Sequence, residues 1–288
     1  MPALTNFDLD DTGKIDLGEI YDQPDPRAYY QTLVNLEYQI PSAAAPVIRK
    51  IIDARRKTRK QEKATLLDVG CSYGVNSAIL RHRIELADLF RLYSRDVTKN
   101  LSRSELVARD QKLYSQMRAD KNLQTIGLDI AGEAVSYAEE VGIIDTGLAA
   151  NLETRPANVD AEEILAPVDI VISTGAIGYV GAPTFSKILD CASTAPWFGL
   201  FALRMFPIDE IAAMLKSRGY SVYRLLGDTF LQRRFAGKDE AGEVIDRLKS
   251  LTIDPTGYEA NGWYHAEFFF AWRADEDGAL PIPGLSRI

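Results

Sequence analysis

Cysteine and histidine are scarce in this chain of 288 residues, which has only Cys71, Cys191, His82 and His265. Two cysteines build no disulfide framework and suit a reducing compartment, so a cytoplasmic location is expected. Two histidines far apart give no basis for a dedicated zinc site, and no metal is expected. Long apolar runs are missing as well. None approaches the roughly 18 residues of a membrane-spanning helix, and the N-terminus, MPALTNFDLDD, is acidic where a signal peptide would be basic and then apolar. No membrane partner is therefore expected. Positive charge is also in deficit: the formal net charge is -8, and no basic patch interleaved with aromatics stands out, which argues against a nucleic-acid substrate. With 46% hydrophobic residues the chain can still bury a substantial core, as one catalytic domain with appended pieces rather than two equal domains.

The stretch richest in chemistry is Ala64 to Leu80, ATLLDVGCSYGVNSAIL. Leu66 and Leu67 belong to a short apolar run that ends in Asp68-Val69-Gly70, and after Gly74 a helical period begins with Val75, Ala78 and Ile79. This predicts a buried strand, a glycine turn and a helix. Gly70 permits a tight turn and close approach of a ligand to the backbone; Gly74 lets the helix start near the strand. Cys71, Ser72 and Tyr73 fill the positions between them, so the third glycine of a dinucleotide cradle is absent. Asp68 stands two residues before the first glycine. Such a turn fits a ligand that brings an ammonium group and hydroxyls rather than a pyrophosphate.

These residues resemble motif I of the class I S-adenosylmethionine-dependent methyltransferases, Asp/Glu-x-Gly-x-x-x-Gly, often written Asp-x-Gly-Cys-x-x-Gly as here. The resemblance spans roughly Ala64 to Arg273. It implies a Rossmann-like three-layer α/β/α fold with a mostly parallel seven-stranded sheet, an antiparallel last strand, N-terminal helices and helical insertions. It also implies S-adenosyl-L-methionine as cofactor, held in the first unit by Asp68, Gly70, Cys71, Ser72, Gly74 and Asn76. The next strand, LQTIGLD, ends at Asp129, a carboxylate suited to a ribose diol, with Ile130 beside it. This resembles the family's second motif. In DTGLAANLETRP, Asn151 falls where the family usually carries an aspartate that meets the adenine amino group, and Leu152 follows; Asn can offer its carbonyl for the same bond. In PVDIVISTGAIGYVGAP a buried parallel-type strand runs into a glycine-rich loop. The family's counterpart of that loop faces the transferable methyl group, which makes Ser173, Thr174 and Gly175 cofactor candidates and Tyr179 a catalytic one.

The expected organisation is an N-terminal helical segment over the cofactor cleft (1–60), a catalytic domain (61–274) with insertions at about 85–122 and 227–262, and a C-terminal tail (275–288). One helix is predicted from Pro26 to a stop at Pro41 and a second from Ser42 with Pro46 in its first turn. The first insertion reads as a helical pair, with Ser102 or Ser104 as a cap; the second carries a helix near Glu240 to Leu251. An antiparallel last strand would bring Trp263, Tyr264 and His265 to the edge where the parallel strands end, so His265 is the first candidate for a general base. Tyr30, Tyr38, Arg204, Arg233 and Arg234 are candidates to hold the acceptor, the arginines as forks for a carboxylate.

The function expected from this resemblance is methyl transfer to oxygen or nitrogen of a small molecule, in line, with S-adenosylhomocysteine as product. The alternatives are attack on the cofactor's aminocarboxypropyl arm with release of methylthioadenosine, and a non-catalytic cofactor-binding protein; a nicotinamide-dependent reductase is disfavoured by the missing glycine. A homodimer remains open.

Overall fold

A computed structural model describes residues 9–276, 278 and 280–288. A bridge between Leu9 and Ile15 is followed by two short helices, α1 (Gly18–Tyr21) and α2 (Arg27–Leu33). The long helix α3 (Ile40–Arg59) begins before the expected Ser42, so Pro41 lies in its first turn and Pro46 falls inside it. The first proline replaces an N–H that has no partner anyway; the second removes an internal bond that the packing of Ile48, Ile51 and Ile52 must offset. Lys60 closes the helix in the left-handed conformation.

Strand β1 (Ala64–Val69), buried throughout, leads into α4 (Val75–Leu80). The first insertion then forms three helices rather than a pair: α5 (Leu86–Leu92), α6 (Arg95–Thr98) and α7 (Arg103–Gln116). Ser102, not Ser104, caps α7, its side chain accepting from Glu105 N while the Glu105 carboxylate accepts from Ser102 N. Next come β2 (Leu123–Asp129), α8 (Gly132–Glu140), β3 (Thr146–Ala149), α9 (Val159–Leu165), β4 (Ile170–Ser173), α10 (Ala182–Cys191), β5 (Trp197–Leu203), α11 (Asp209–Ser217) and β6 (Tyr220–Leu225). The second insertion supplies β7 (Phe230–Arg234) and α12 (Lys238–Ser250), after which β8 (Trp263–Arg273) and β9 (Leu285–Arg287) complete the sheet.

Among the described residues the sheet has nine strands in the order β3-β2-β1-β4-β5-β8-β6-β9, with β7 also paired to β8. That corrects the expected seven. The two additional strands are β7, five residues beside the start of β8, and β9, three residues of the expected tail paired with β6. Segments so short carry too little alternation to be seen in sequence. The long strand β8 lies between β5 and β6 and runs antiparallel to both, as the resemblance implied. Leu203 at the end of β5 pairs with Ala266, so Trp263, Tyr264 and His265 do reach the carboxyl edge of the parallel strands.

Helices cover both faces, and aromatic residues fill the middle: Trp197, Phe198, Phe201, Phe268 and Phe270 are almost wholly buried. The insertion packs beneath the N-terminal helices through a polar core. Buried Asp110 accepts from the hydroxyls of Tyr93 and Tyr137, each at 2.6 Å, and from Arg109 Nε at 2.7 Å. Tyr93 in turn stacks on Tyr30, ring centroids 4.5 Å apart. Among the described residues no helix is long and apolar enough to cross a membrane.

Candidate functional site

The site grows from the turn between β1 and α4. Gly70 (φ +77°) and Gly74 (φ +74°) adopt left-handed conformations that other residues enter at a cost, and Gly70 N–H donates to Leu128 O at 2.8 Å, tying the turn to β2. Both glycines are also required by space. A Cβ on Gly74 would stand 2.6 Å from Ile143 Cγ2, and one on Gly70 would stand 2.4 Å from Ala176 Cβ. The loop after β4 therefore approaches the Gly70 backbone closely. Cys71 also turns to packing: its buried thiol lies where a side chain on Gly127 would be, 2.7 Å from that position, and burial pushes the thiol up.

Two carboxylates flank this turn. The Asp129 carboxylate is oriented by backbone donors, Ser72 N–H at 2.8 Å and Ala131 N–H at 3.1 Å. It stands on the strand next to β1, at the turn itself, and burial pushes its carboxyl up against the pull of those donors. Asp68, at the end of β1, is 1% exposed. It accepts from Asn76 Nδ2 at 3.0 and 3.1 Å, and the same amide reaches Thr174 Oγ1 at 3.0 Å, joining β1, α4 and the loop after β4. Burial raises Asp68 to about 7; the Asn76 bond opposes this and the Asp129 charge adds to it. Among the described residues neither carboxylate has an ion-pair partner, although fourteen pairs form elsewhere. Ser72 Oγ, Asn76 Oδ1, Ser173 Oγ and Gln232 Oε1 are buried without hydrogen-bond partners. Such orphans have a desolvation cost that a bound polar molecule would relieve.

At the far side of Asp129 the surface opens into a depression of about 300 Å³, lined by Ile130, Ala149, Ala150, Asn151, Thr154 and Arg155. Ile130 is 72% exposed there, an apolar side chain with nothing over it. Asn151 lies in this depression, but its Oδ1 already accepts from Thr154 N at 3.1 Å. Leu152 is buried beneath.

The N-terminal segment straps over the other end. Tyr73 OH and the Gln23 backbone exchange hydrogen bonds at 2.8 and 2.9 Å, Asp22 accepts from Glu133 N at the start of α8, and Ile15 N donates to Glu240 on α12. A tyrosine cluster forms beneath: Tyr29 meets Tyr21, Tyr38 and Tyr73 edge to face at 5.5, 6.4 and 5.4 Å. Tyr38 is within electrostatic reach of Asp68 and Arg233, as Tyr21 is of Asp129 and Arg233. Tyr30 is instead turned to the insertion, fully buried against Tyr93, which removes it from the lining.

The remaining candidates have protein partners. Arg233 is 3% exposed and grips Glu240 with two bonds of 2.6 and 2.9 Å. Arg204 pairs with Glu259 at 2.6 Å and covers the Tyr258 ring, and Arg234 pairs with Glu37 and covers Trp263. His265 binds Thr229 Oγ1 through Nδ1 at 2.8 Å and meets the edge of Tyr258; burial and Arg204 lower its pKa. The two-residue period of β8 puts it on the face opposite Tyr264, which faces Glu240 and the strap. The structure thus places His265 with Thr229, Tyr258 and Arg204. Tyr179, 49% exposed, donates its OH to Asp10 at 2.6 Å, and partial desolvation with that bond pushes the phenol up, so it is a poor base. Lys14 lies here, between Tyr179 and Tyr264, without having been among the candidate site residues. The one available signal was that Lys14 is the sole cation between Met1 and Pro26.

No protein-family model matches the chain, and neither does any curated protein. Solved structures similar to it include magnesium protoporphyrin IX methyltransferase from Synechocystis PCC 6803 with bound SAM, at 13% identity over 85% of this chain and 84% of that one, TM-score 0.40. The plantazolicin methyltransferase BpumL in complex with SAH matches at 11% identity over 88% of this chain and 93% of that one, TM-score 0.42. YcgJ from Bacillus subtilis matches at 12% identity over 80% and 99%, TM-score 0.42. Likeness at this level leaves the function to the geometry of the site.

Proposed function

We propose that the chain is an S-adenosylmethionine-dependent methyltransferase acting on oxygen or nitrogen of a small molecule. The observation that carries this reading is the pair of buried Asp68 and half-buried Asp129, which among the described residues have no cation partner and stand on neighbouring strands around a glycine turn. A nucleoside with an ammonium group meets both needs. Asp129, its lone pairs aimed by two backbone N–H groups, would hold the ribose diol, and Asp68 with the orphaned Asn76 and Ser72 oxygens would face the amino acid end. Ile130 and the depression beside it suit an adenine ring, with Asn151 at its edge.

Bound there, the cofactor supplies a methyl group already activated on a sulfonium. The protein's work is then alignment and exclusion of water. The strap covers one side of the cleft and α12 another, Arg247 Nε donating to Met205 O at 3.0 Å beyond β5. An enclosure made of side chains and two short segments suits a small acceptor better than a macromolecule. Calorimetric titration with S-adenosylmethionine tests the reading, and Asp129→Ala is expected to weaken binding by about 2–3 kcal/mol through loss of charge-assisted bonds. No heat of binding to the wild-type protein would sink it. Chromatography of the product separates S-adenosylhomocysteine, expected here, from methylthioadenosine.

A further inference from the structure

Lys14 is 8% exposed, and its ammonium makes no hydrogen bond or ion pair among the described residues. It lies between two phenol rings, 5.0 Å from the centre of Tyr179 and 5.9 Å from that of Tyr264. The guanidinium of Arg233 stands over the same Tyr264 ring at 4.7 Å. Two cations therefore share one aromatic ring, and burial, helped by their mutual repulsion, brings Lys14 down to about 8.

The acids nearby are already spent. Glu240 accepts from both Arg233 nitrogens, from Tyr264 OH, and from the backbone of Ile15 and Ala236. Asp10 accepts from Tyr179 OH, from Thr12 and from Lys14's own backbone. A buried ammonium with three unused donors is costly, and in a chain of net charge -8 it is not there to balance the whole.

We infer that the acceptor carries an oxyanion such as a carboxylate on an aromatic body, and that Lys14 is the residue that recognises it. The anion would sit against Lys14, and its ring among Tyr179, Tyr264, Tyr21 and Tyr38. The inference rests on the cleft being a methyl-transfer site. Lys14 belongs to the strap, so the same contact would hold the strap closed over the bound acceptor.

The test uses the whole chain and two probes, 4-hydroxybenzoate and its methyl ester, titrated by tyrosine fluorescence with and without S-adenosylhomocysteine. The acid is expected to bind the wild type about tenfold more tightly than the ester. Lys14→Met should bring the two within about twofold, while Lys14→Arg keeps the preference. Equal affinity for acid and ester in the wild type, no binding of the acid, or a preference that survives Lys14→Met each overturns the inference. Where Lys14→Met fails to melt cooperatively, Lys14→Gln is read instead, and the wild-type comparison needs no variant. S-adenosylhomocysteine binding is read separately. Its absence beside an intact acid preference supports the anion site and overturns the methyl-transfer reading, whereas its presence without the preference overturns the anion site alone.

Discussion

Asp68 illustrates how one side chain can oppose folding and serve binding. Its carboxyl goes from an ordinary value of 3.8 to about 7 in the folded protein, because burial disfavours the charge. Between those values the folded chain keeps a proton that the unfolded chain releases, so this residue makes stability fall as pH rises across the interval. Asp68→Asn keeps the shape and the bond from Asn76, and should stabilise the ligand-free protein at pH 8 by on the order of 2–4 kcal/mol in thermal or urea melts. The same variant should lose cofactor affinity, and the wild type should bind more tightly at about pH 7.5 than at about pH 6, since an ammonium partner favours ionised Asp68. A pH-independent affinity would count against the ammonium at this position. Asp68 and the glycines were legible in sequence because strand, turn and acid follow one another within a few residues, and Asp129 because it ends the next strand. Lys14 and Gln232 were not, because no local pattern relates positions so far apart.

Among the elements, α12 and the strap depend on one buried ion pair. Glu240, 1% exposed, joins Arg233 on β7, Tyr264 on β8 and Ile15 on the strap. Glu240→Ala would leave the Arg233 charge buried without a partner and is expected to cost about 3–5 kcal/mol by chemical denaturation. Its effect on hydrogen exchange should extend to the amides around Ile15, which a loss confined to α12 would leave protected. The sequence placed a helix near Glu240 to Leu251, and α12 spans Lys238–Ser250. It also offered Arg233 as a fork for a substrate carboxylate, and that fork is filled by the protein's own carboxylate. Composition cannot distinguish these outcomes, since an arginine reads the same whether its partner is a ligand or a helix seven residues on.

For the molecule as a whole, the sheet holds the site in register. Parallel pairing of β1 with β2 and β4 fixes Asp68 opposite Gly127 and Ile172, so the strand ends and the turns after them form one edge. β8, inserted between β5 and β6, closes the core with Phe268 and Phe270 against Phe201 and Trp197. Phe268→Ala should cost about 3–5 kcal/mol through a cavity that the surrounding rings cannot fill, measured as a lowered urea midpoint with unchanged slope. A loss under about 1 kcal/mol would mean that the sheet relaxes into the space.

By itself the sequence determined the alternation of strand and helix, the glycine turn and the acid two residues before it, because these depend on neighbours along the chain and on periods of two and 3.6 residues. It did not determine which side of β8 His265 would occupy, what Tyr30 would stack on, or that a tail of the chain would add β9. Those were decided by the tertiary structure, since the free energy of a side chain depends on what surrounds it once distant segments meet. Lys14 comes to lie between two rings only when the strap lies across Tyr179 and Tyr264.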